Sequence, residues 1–348
     1  MQDLRAAVHS TTPGGLDANW DTVHAFVERA AEQDSGGCGA GGRSSTPPSP
    51  PGRGRNPTHA RPGSSGSNRF ALDPLLFPRR HGPMQLSSPN WTDPPREPGA
   101  PAPPVQIWRL RLKELDGDPL ETLRPLTVSS EHARARRYQF ESDRHRHLAG
   151  RALVRLALSR RYRCDPRALS LTDGPHGKPH LQEPPEGNPI LHFNVAHTAD
   201  VVVAAFSRTH PVGIDVESQH RDADVDALAQ RVLTEAERRR WRTGPEAHRR
   251  DMFLHLWTCK EAFLKATGRG LQRALHTIEC TFDEDTVVGF NDAEGHSPPS
   301  SEASATRWAV RPFSASANAM GAIVRKDHLP SSLGWIDAAE ALNRRSHS

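Results

Sequence analysis

Between Ser35 and Pro104 the chain is dominated by glycine, serine, arginine and proline, and it holds 16 of the protein's 31 prolines. A stretch of this kind cannot bury enough apolar surface to offset the entropy lost on ordering, so disorder is expected there. Ahead of it, residues 18–32 (ANWDTVHAFVERAAE) offer one short amphipathic helix, marginal without a partner to pack on. The folded part is therefore expected to begin near Val105. Residues 1–104 read as a mostly disordered extension, and a loosely ordered tail is expected over 331–348.

Charge follows the same division. The chain carries +4 overall, yet residues 35–104 hold eight arginines, no lysine and three acids. The basic surplus thus sits where folding is least expected, which argues against nucleic acid as the partner of the folded part. No run of about twenty apolar residues spans a bilayer, and no secretory leader is read at the start. Cys38, Cys164, Cys259 and Cys280 are widely spaced and suggest neither a zinc site nor a disulfide framework. A cytoplasmic protein without a membrane partner is the expectation.

From Val105 the pattern alternates between strand and helix signals. VQIWRLRL reads as a strand, residues 131–140 as an Arg-rich helix, and 142–162 as a stronger helix with Ser142 as N-cap. Asp173 to Pro179 is loop chemistry. Strands at 190–195, 201–206 and 212–217 then suggest an antiparallel meander. A charged helix over 226–241 precedes a second strong helix over 251–267, stopped by Gly268 and Gly270. Short strands follow at 276–282, 306–312 and 320–324. Strands and helices are grouped rather than strictly alternating, which places the fold in the α+β class.

Chemistry concentrates in two places. In Val212-Gly213-Ile214-Asp215-Val216-Glu217 the period-2 alternation puts both carboxylates on one face, roughly 7 Å apart, with Gly213 leaving room beside them. In Trp257-Thr258-Cys259-Lys260-Glu261-Ala262-Phe263-Leu264-Lys265, helical spacing puts Trp257, Glu261 and Lys265 on one side. Read singly, the first is a solvated strand face and the second a surface Glu–Lys pair. Read together, three acids beside two lysines suit a metal-bound polyphosphate. Phe193-Asn194-Val195-Ala196-His197-Thr198 adds a histidine next to a hydroxyl where a turn is expected.

These blocks, in this order with Gly177-Lys178-Pro179, Asp143-Arg144-His145-Arg146 and Arg151-Ala152-Leu153-Val154-Arg155, resemble the 4′-phosphopantetheinyl transferases of the surfactin-synthetase-activating type. The resemblance runs from about Val105 to Val324. It implies two similar α+β halves about a pseudo-twofold, 105–211 and 212–330, with coenzyme A in the cleft between them. It implies transfer of the phosphopantetheine arm of coenzyme A to a serine of an apo acyl or peptidyl carrier protein, with Mg²⁺, by a monomer. Carried over by position, Asp215, Glu217 and Glu261 would hold Mg²⁺. Lys260, Lys265, His197 and Thr198 would lie near the phosphates, and Lys178 and Arg146 near the 3′-phosphate and adenine. Glu237 falls where the family has an acid near the metal; Glu261 is preferred over it as the base. Ala196 departs from the serine many members carry. The arginines of 218–250 are expected to meet the acidic carrier. The rival readings are a nucleic-acid-binding protein with a basic tail and another Mg²⁺-dependent phosphohydrolase; the latter leaves the histidine and the Lys-Glu helix unexplained.

Overall fold

The computed structural model describes residues 86–95, 102–174, 178–220, 223–268, 274–292 and 308–346, all within one compact unit. In chain order the first part comprises β1 (Val105–Arg111), α1 (Pro119–Leu123), α2 (Ser129–Ala135), α3 (Glu141–Tyr162), β2 (Leu171–Asp173), β3 (Pro179–Leu181), β4 (His192–Thr198) and β5 (Val201–Ser207). The second comprises β6 (Val212–Ser218), α4 (Val225–Val232), α5 (Glu235–Thr243), α6 (Glu246–Thr267), β7 (Ile278–Asp283), β8 (Thr286–Asp292), β9 (Trp308–Ser316), β10 (Ala319–Lys326), β11 (Gly334–Asp337) and α7 (Ala339–Ser346). The α+β class is as expected.

Two sheets carry the structure, in the orders β11-β1-β5-β4 and β6-β10-β9. The alternation of side chains along each strand explains how they stack. On β5, Val202, Ala204 and Phe206 join Leu148, Leu153 and Leu156 of α3 in one core. Val201, Val203 and Ala205 point the other way and meet Val212, Ile214 and Val216 of β6 in a second core. The odd residues of β6 turn to α6. The layers therefore run α3, first sheet, second sheet, α6.

The meander expected over 190–217 is interrupted. β4 and β5 pair antiparallel, but β6 leaves them for β10. Side chains bind β6 to the edge of β4 instead: Ile214 N donates to Asn194 Oδ1 at 2.8 Å and Ser218 N to Thr198 Oγ1 at 3.2 Å. Both pairs are twenty residues apart, so the two edges run in the same direction.

The halves repeat one another in detail. In each, a glutamate at the third position of a short helix reaches back to the cap backbone, Glu131 Oε2 to Val128 N and Glu237 Oε2 to Thr234 N. Each glutamate also takes a buried cation from the fifteenth residue of the following 22-residue helix, Arg155 on α3 and Lys260 on α6. Each long helix is followed by a residue in the left-handed conformation, Arg163 or Gly268.

Three expectations are corrected. Residues 331–348 are not a loose tail over their described part: β11 adds to β1 in parallel and Leu342 of α7 is fully buried. Residues 86–95, inside the stretch read as disordered, bridge the edges of both sheets through Ser87 with Phe313 and Thr92 with Ile336. Trp91 between them packs on Phe313, Trp335 and Arg109. The helix expected over 226–241 breaks at Leu233, where Thr234 starts α5 with a side-chain cap. Residues 1–85, with the helix expected over 18–32, lie outside the described residues, as do Gly177 and Gly270.

Gly213 does not leave the open face that its sequence context suggests. A Cβ there would fall 2.0 Å from the carbonyl oxygen of Ala262 and 2.3 Å from the amide nitrogen of Ala266. The backbone of α6 fills the space. Gly213→Ala is expected to lower stability by ~1–3 kcal/mol, because backbone on both sides resists the shift. Thermal denaturation reads this directly, and an unchanged melting temperature contradicts the packing.

Candidate active site

The odd residues of β6 and one side of α6 form a buried ionic cluster. Asp215, Glu217 and Glu261 are 5%, 7% and 4% exposed, so neither the solvated strand face nor the surface ion pair describes them. Lys265 Nζ donates to Asp215 Oδ1 at 2.7 Å, and Trp257 Nε1 donates to Glu217 Oε1 at 3.0 Å. The i, i+4, i+8 spacing of Trp257, Glu261 and Lys265 thus aims all three at the β6 acids. Burial, followed by Asp215 and then Glu217, pushes the Glu261 carboxyl up to about 8, against the opposing pull of Lys265. Burial alone would lower the Lys265 ammonium, but Asp215, Glu261 and Glu217 more than offset it and hold it above its usual value.

The duplicated fold shows what was replaced to make this cluster. By position in the strand, Asp215 and Glu217 match Trp108 and Leu110 of β1; by position in the helix, Glu261 and Lys265 match Leu156 and Arg160 of α3. Trp108, Leu110 and Leu156 belong to the hydrophobic core of the first half. Three carboxylates occupy, in the second half, places that the fold otherwise fills with apolar side chains. Burying them costs free energy unless a cation compensates.

One lysine only partly compensates. Glu261 Oε1 is buried without a hydrogen-bond partner. Three carboxylates are hard oxygen donors of the type a divalent cation prefers. Among the described residues no three acidic, histidine or cysteine side chains already stand arranged to hold a metal. The Lys265 ammonium holds the cationic position beside Asp215.

A second group lies at α3. Arg146, Arg151, His147 and His197 line one small open cavity. Arg146 is held at the start of α3 by an ion pair with Asp143 and donates to Ala199 O at 3.2 Å. Arg151 pairs with Asp173 at 2.5 Å. Neither Arg151 nor His147 stood among the residues expected at the site; Arg151 lay inside a quoted block, one helical turn past His147. His197 and Thr198 are the last two residues of β4, not a turn, and so point to opposite faces. His197 faces the basic cavity. Thr198 is corrected: its hydroxyl is turned to Ser218 N on the β6 side. Ala196 packs in the core between the sheets.

Lys178 joins the two halves. Its Nζ donates to Lys265 O at 2.8 Å and Val212 O at 3.2 Å, and burial, with Lys265 nearby, brings it down to about 8. Lys260 and Glu237 require a larger correction. Lys260 is fully buried, and its three N–H groups go to Glu237 Oε2 at 2.5 Å, Val232 O at 2.8 Å and Leu275 O at 3.1 Å. Glu237 Oε1 accepts from Cys280 N at 2.8 Å. Every N–H of the Lys260 ammonium and both oxygens of Glu237 are engaged within the protein, which places this pair away from the phosphates and the metal cluster. They are the counterpart of Glu131 and Arg155.

Similarity to known proteins follows the same division into halves. Residues 211–313 match the family model described as the 4′-phosphopantetheinyl transferase superfamily, and residues 120–209 match one described as 4′-phosphopantetheinyl transferase, N-terminal. The chain is 33% identical to the 4′-phosphopantetheinyl transferase HetI of a Nostoc species over 50% of its own length and 73% of the relative's. It is 31% identical to the transferase Sfp of Bacillus subtilis over 47% and 70%. A further Bacillus subtilis 4′-phosphopantetheinyl transferase is 31% identical over 49% and 74%. Among the described residues no helix is long and apolar enough to cross a membrane. By sequence, the chain belongs to the 4′-phosphopantetheinyl transferase family, of the Sfp type.

Proposed function

We propose that this chain moves the 4′-phosphopantetheine arm of coenzyme A onto a serine hydroxyl of an apo carrier protein, releasing 3′,5′-ADP. The observation that carries this is the set of three carboxylates installed where the sister half keeps the core residues Trp108, Leu110 and Leu156, with Lys265 beside them in the place of Arg160. Asp215, Glu217 and Glu261 are the residues to hold Mg²⁺, whose chemistry when bound is to neutralise charge on the diphosphate.

The chain's own groups supply the rest. The serine oxygen attacks the phosphorus that bears pantetheine, the bond to the other phosphate breaks, and its electrons leave with 3′,5′-ADP. Glu261 takes the serine proton that the attacking hydroxyl must lose. Lys265 offsets charge developing on the 5′-phosphate of the leaving 3′,5′-ADP. The cavity of Arg146, Arg151 and His197 suits the 3′-phosphate end of coenzyme A. Lys178 fixes the last turn of α6, and with it Lys265, against the first half. On α5, exposed Arg242 is open to an acidic carrier, whereas Arg239 pairs with Glu235 at 3.0 Å and Arg240 is taken up by Asp285 at 2.5 Å.

Mass spectrometry of an apo carrier protein incubated with the enzyme, coenzyme A and Mg²⁺ tests the reading. A gain of one phosphopantetheine, abolished by EDTA, is expected. Coenzyme A consumption that leaves the carrier mass unchanged points to the phosphohydrolase reading instead.

A further inference from the structure

A second basic cluster stands apart from the site. α3 and α7 end side by side, and Ser159, Arg160, Arg163, Cys164 and Arg345 line an open depression of about 740 Å³ between them. Arg161 and Arg344 flank it. Arg160 is half-buried, Arg345 is exposed, and neither makes a hydrogen bond or ion pair with any described residue. The adjacent acids are committed elsewhere: Glu340 pairs with Arg344, and Asp165 accepts from Arg167 N at 2.8 Å. Burial, then Arg345 and Arg344, lowers the Arg160 pKa, as expected where like charges crowd without a counter-ion. From Arg146 to Arg160 is fourteen residues of helix, about 21 Å, so this cluster does not share the cavity of the candidate active site.

Arginines near helix C-termini have an ordinary use, which is to offset the negative end of the helix. Two helix ends account for about one unit of negative charge between them, against five arginines and the two acids Glu340 and Asp165. Guanidinium forks in a concave, acid-free lining match the oxygens of a phosphate group.

We infer that the depression between the ends of α3 and α7 is a binding site for a diphosphate-bearing anion, held by Arg160 and Arg345 and separate from the transferase site. Inorganic pyrophosphate and the diphosphate of a nucleotide present the same chemistry.

The test is isothermal titration of the full chain with inorganic pyrophosphate, and separately with ADP, in the wild type and in an Arg160→Gln/Arg345→Gln variant. Any binding at the transferase site is common to both proteins. The expected result is one fewer pyrophosphate site in the variant, or a loss of at least about tenfold in affinity, from two charge-assisted hydrogen bonds removed. Carrier modification is expected to continue at the wild-type rate. Tighter binding of ADP than of pyrophosphate assigns the anion to a nucleotide, and the reverse to the free ion. Melting at low salt gives an independent readout: relief of repulsion should raise the variant's melting temperature. Identical titrations of the two proteins, or a drop in melting temperature with no change in anion binding, overturn the inference and leave the arginines as helix caps. Loss of carrier modification in the wild type would count against the proposed function without touching this site.

Discussion

Replacing Glu261 with glutamine should lower turnover by about 10²–10⁴-fold, the range general-base catalysis contributes, while coenzyme A still binds. The side chain keeps its shape and loses its ability to accept a proton. Because Glu261 is raised to about 8 in the folded protein, the neutral glutamine resembles the protonated form and the fold should tolerate it. Stability supplies a second readout whose sign is fixed. A carboxyl whose folded pKa lies above its unfolded value contributes stability that is present below the unfolded value and is lost as pH rises through the folded one. Without a divalent cation the wild type should therefore lose stability between about pH 4.5 and pH 8, and the glutamine variant should lose less. Buried His255, held down to about 4 by desolvation, acts in the opposite direction and costs stability as pH falls below about 6.5. Turnover within twofold of wild type would remove Glu261 as the base.

Lys260→Met should be the most destabilising single change discussed here, at about 3–5 kcal/mol, the usual cost of stranding one partner of a buried ion pair. The variant keeps the aliphatic stem but leaves Glu237 Oε2, Val232 O and Leu275 O without their shared donor. At this size the melting temperature should fall by roughly 6–20 °C. A Lys260→Met/Glu237→Gln double variant should lose clearly less than the sum of the single changes, because the two residues act as one unit. The opposite pattern, a wild-type melting temperature with coenzyme A affinity lost, would return Lys260 to the phosphates.

That pair shows where sequence reading stops. The alternation of Val212 to Glu217 and the helical spacing of Trp257, Glu261 and Lys265 were enough to place these acids and this lysine in one cluster. Lys260 stands in the same motif, one residue from Glu261, and the resemblance implies the same ligand for it. A signal against this was present: its neighbours at i−4 and i+4 are Leu256 and Leu264, which places its ammonium in an apolar stripe that needs internal acceptors. What could not be read is the acceptor set, since Val232 O and Leu275 O come from separate segments. The same holds for residues 86–95 and for β11. Their local composition is polar and proline-rich or too short to show a period, and their order comes from pairing with sheet edges more than two hundred residues away in sequence. The burial of Asp215 and Glu217 was likewise hidden, because a strand's alternation does not say what covers its polar face. Here α6 covers it, through Gly213.

The central claim is that Asp215, Glu217 and Glu261 together accept one divalent ion. The most direct measurement is the anomalous X-ray signal of crystals of the full chain grown with coenzyme A and Mn²⁺. A single manganese peak bounded by those three carboxylates, with the Lys265 ammonium displaced from Asp215, is the expected result. A peak held by other residues, or Lys265 still bonded to Asp215 with coenzyme A bound and no manganese there, would contradict it.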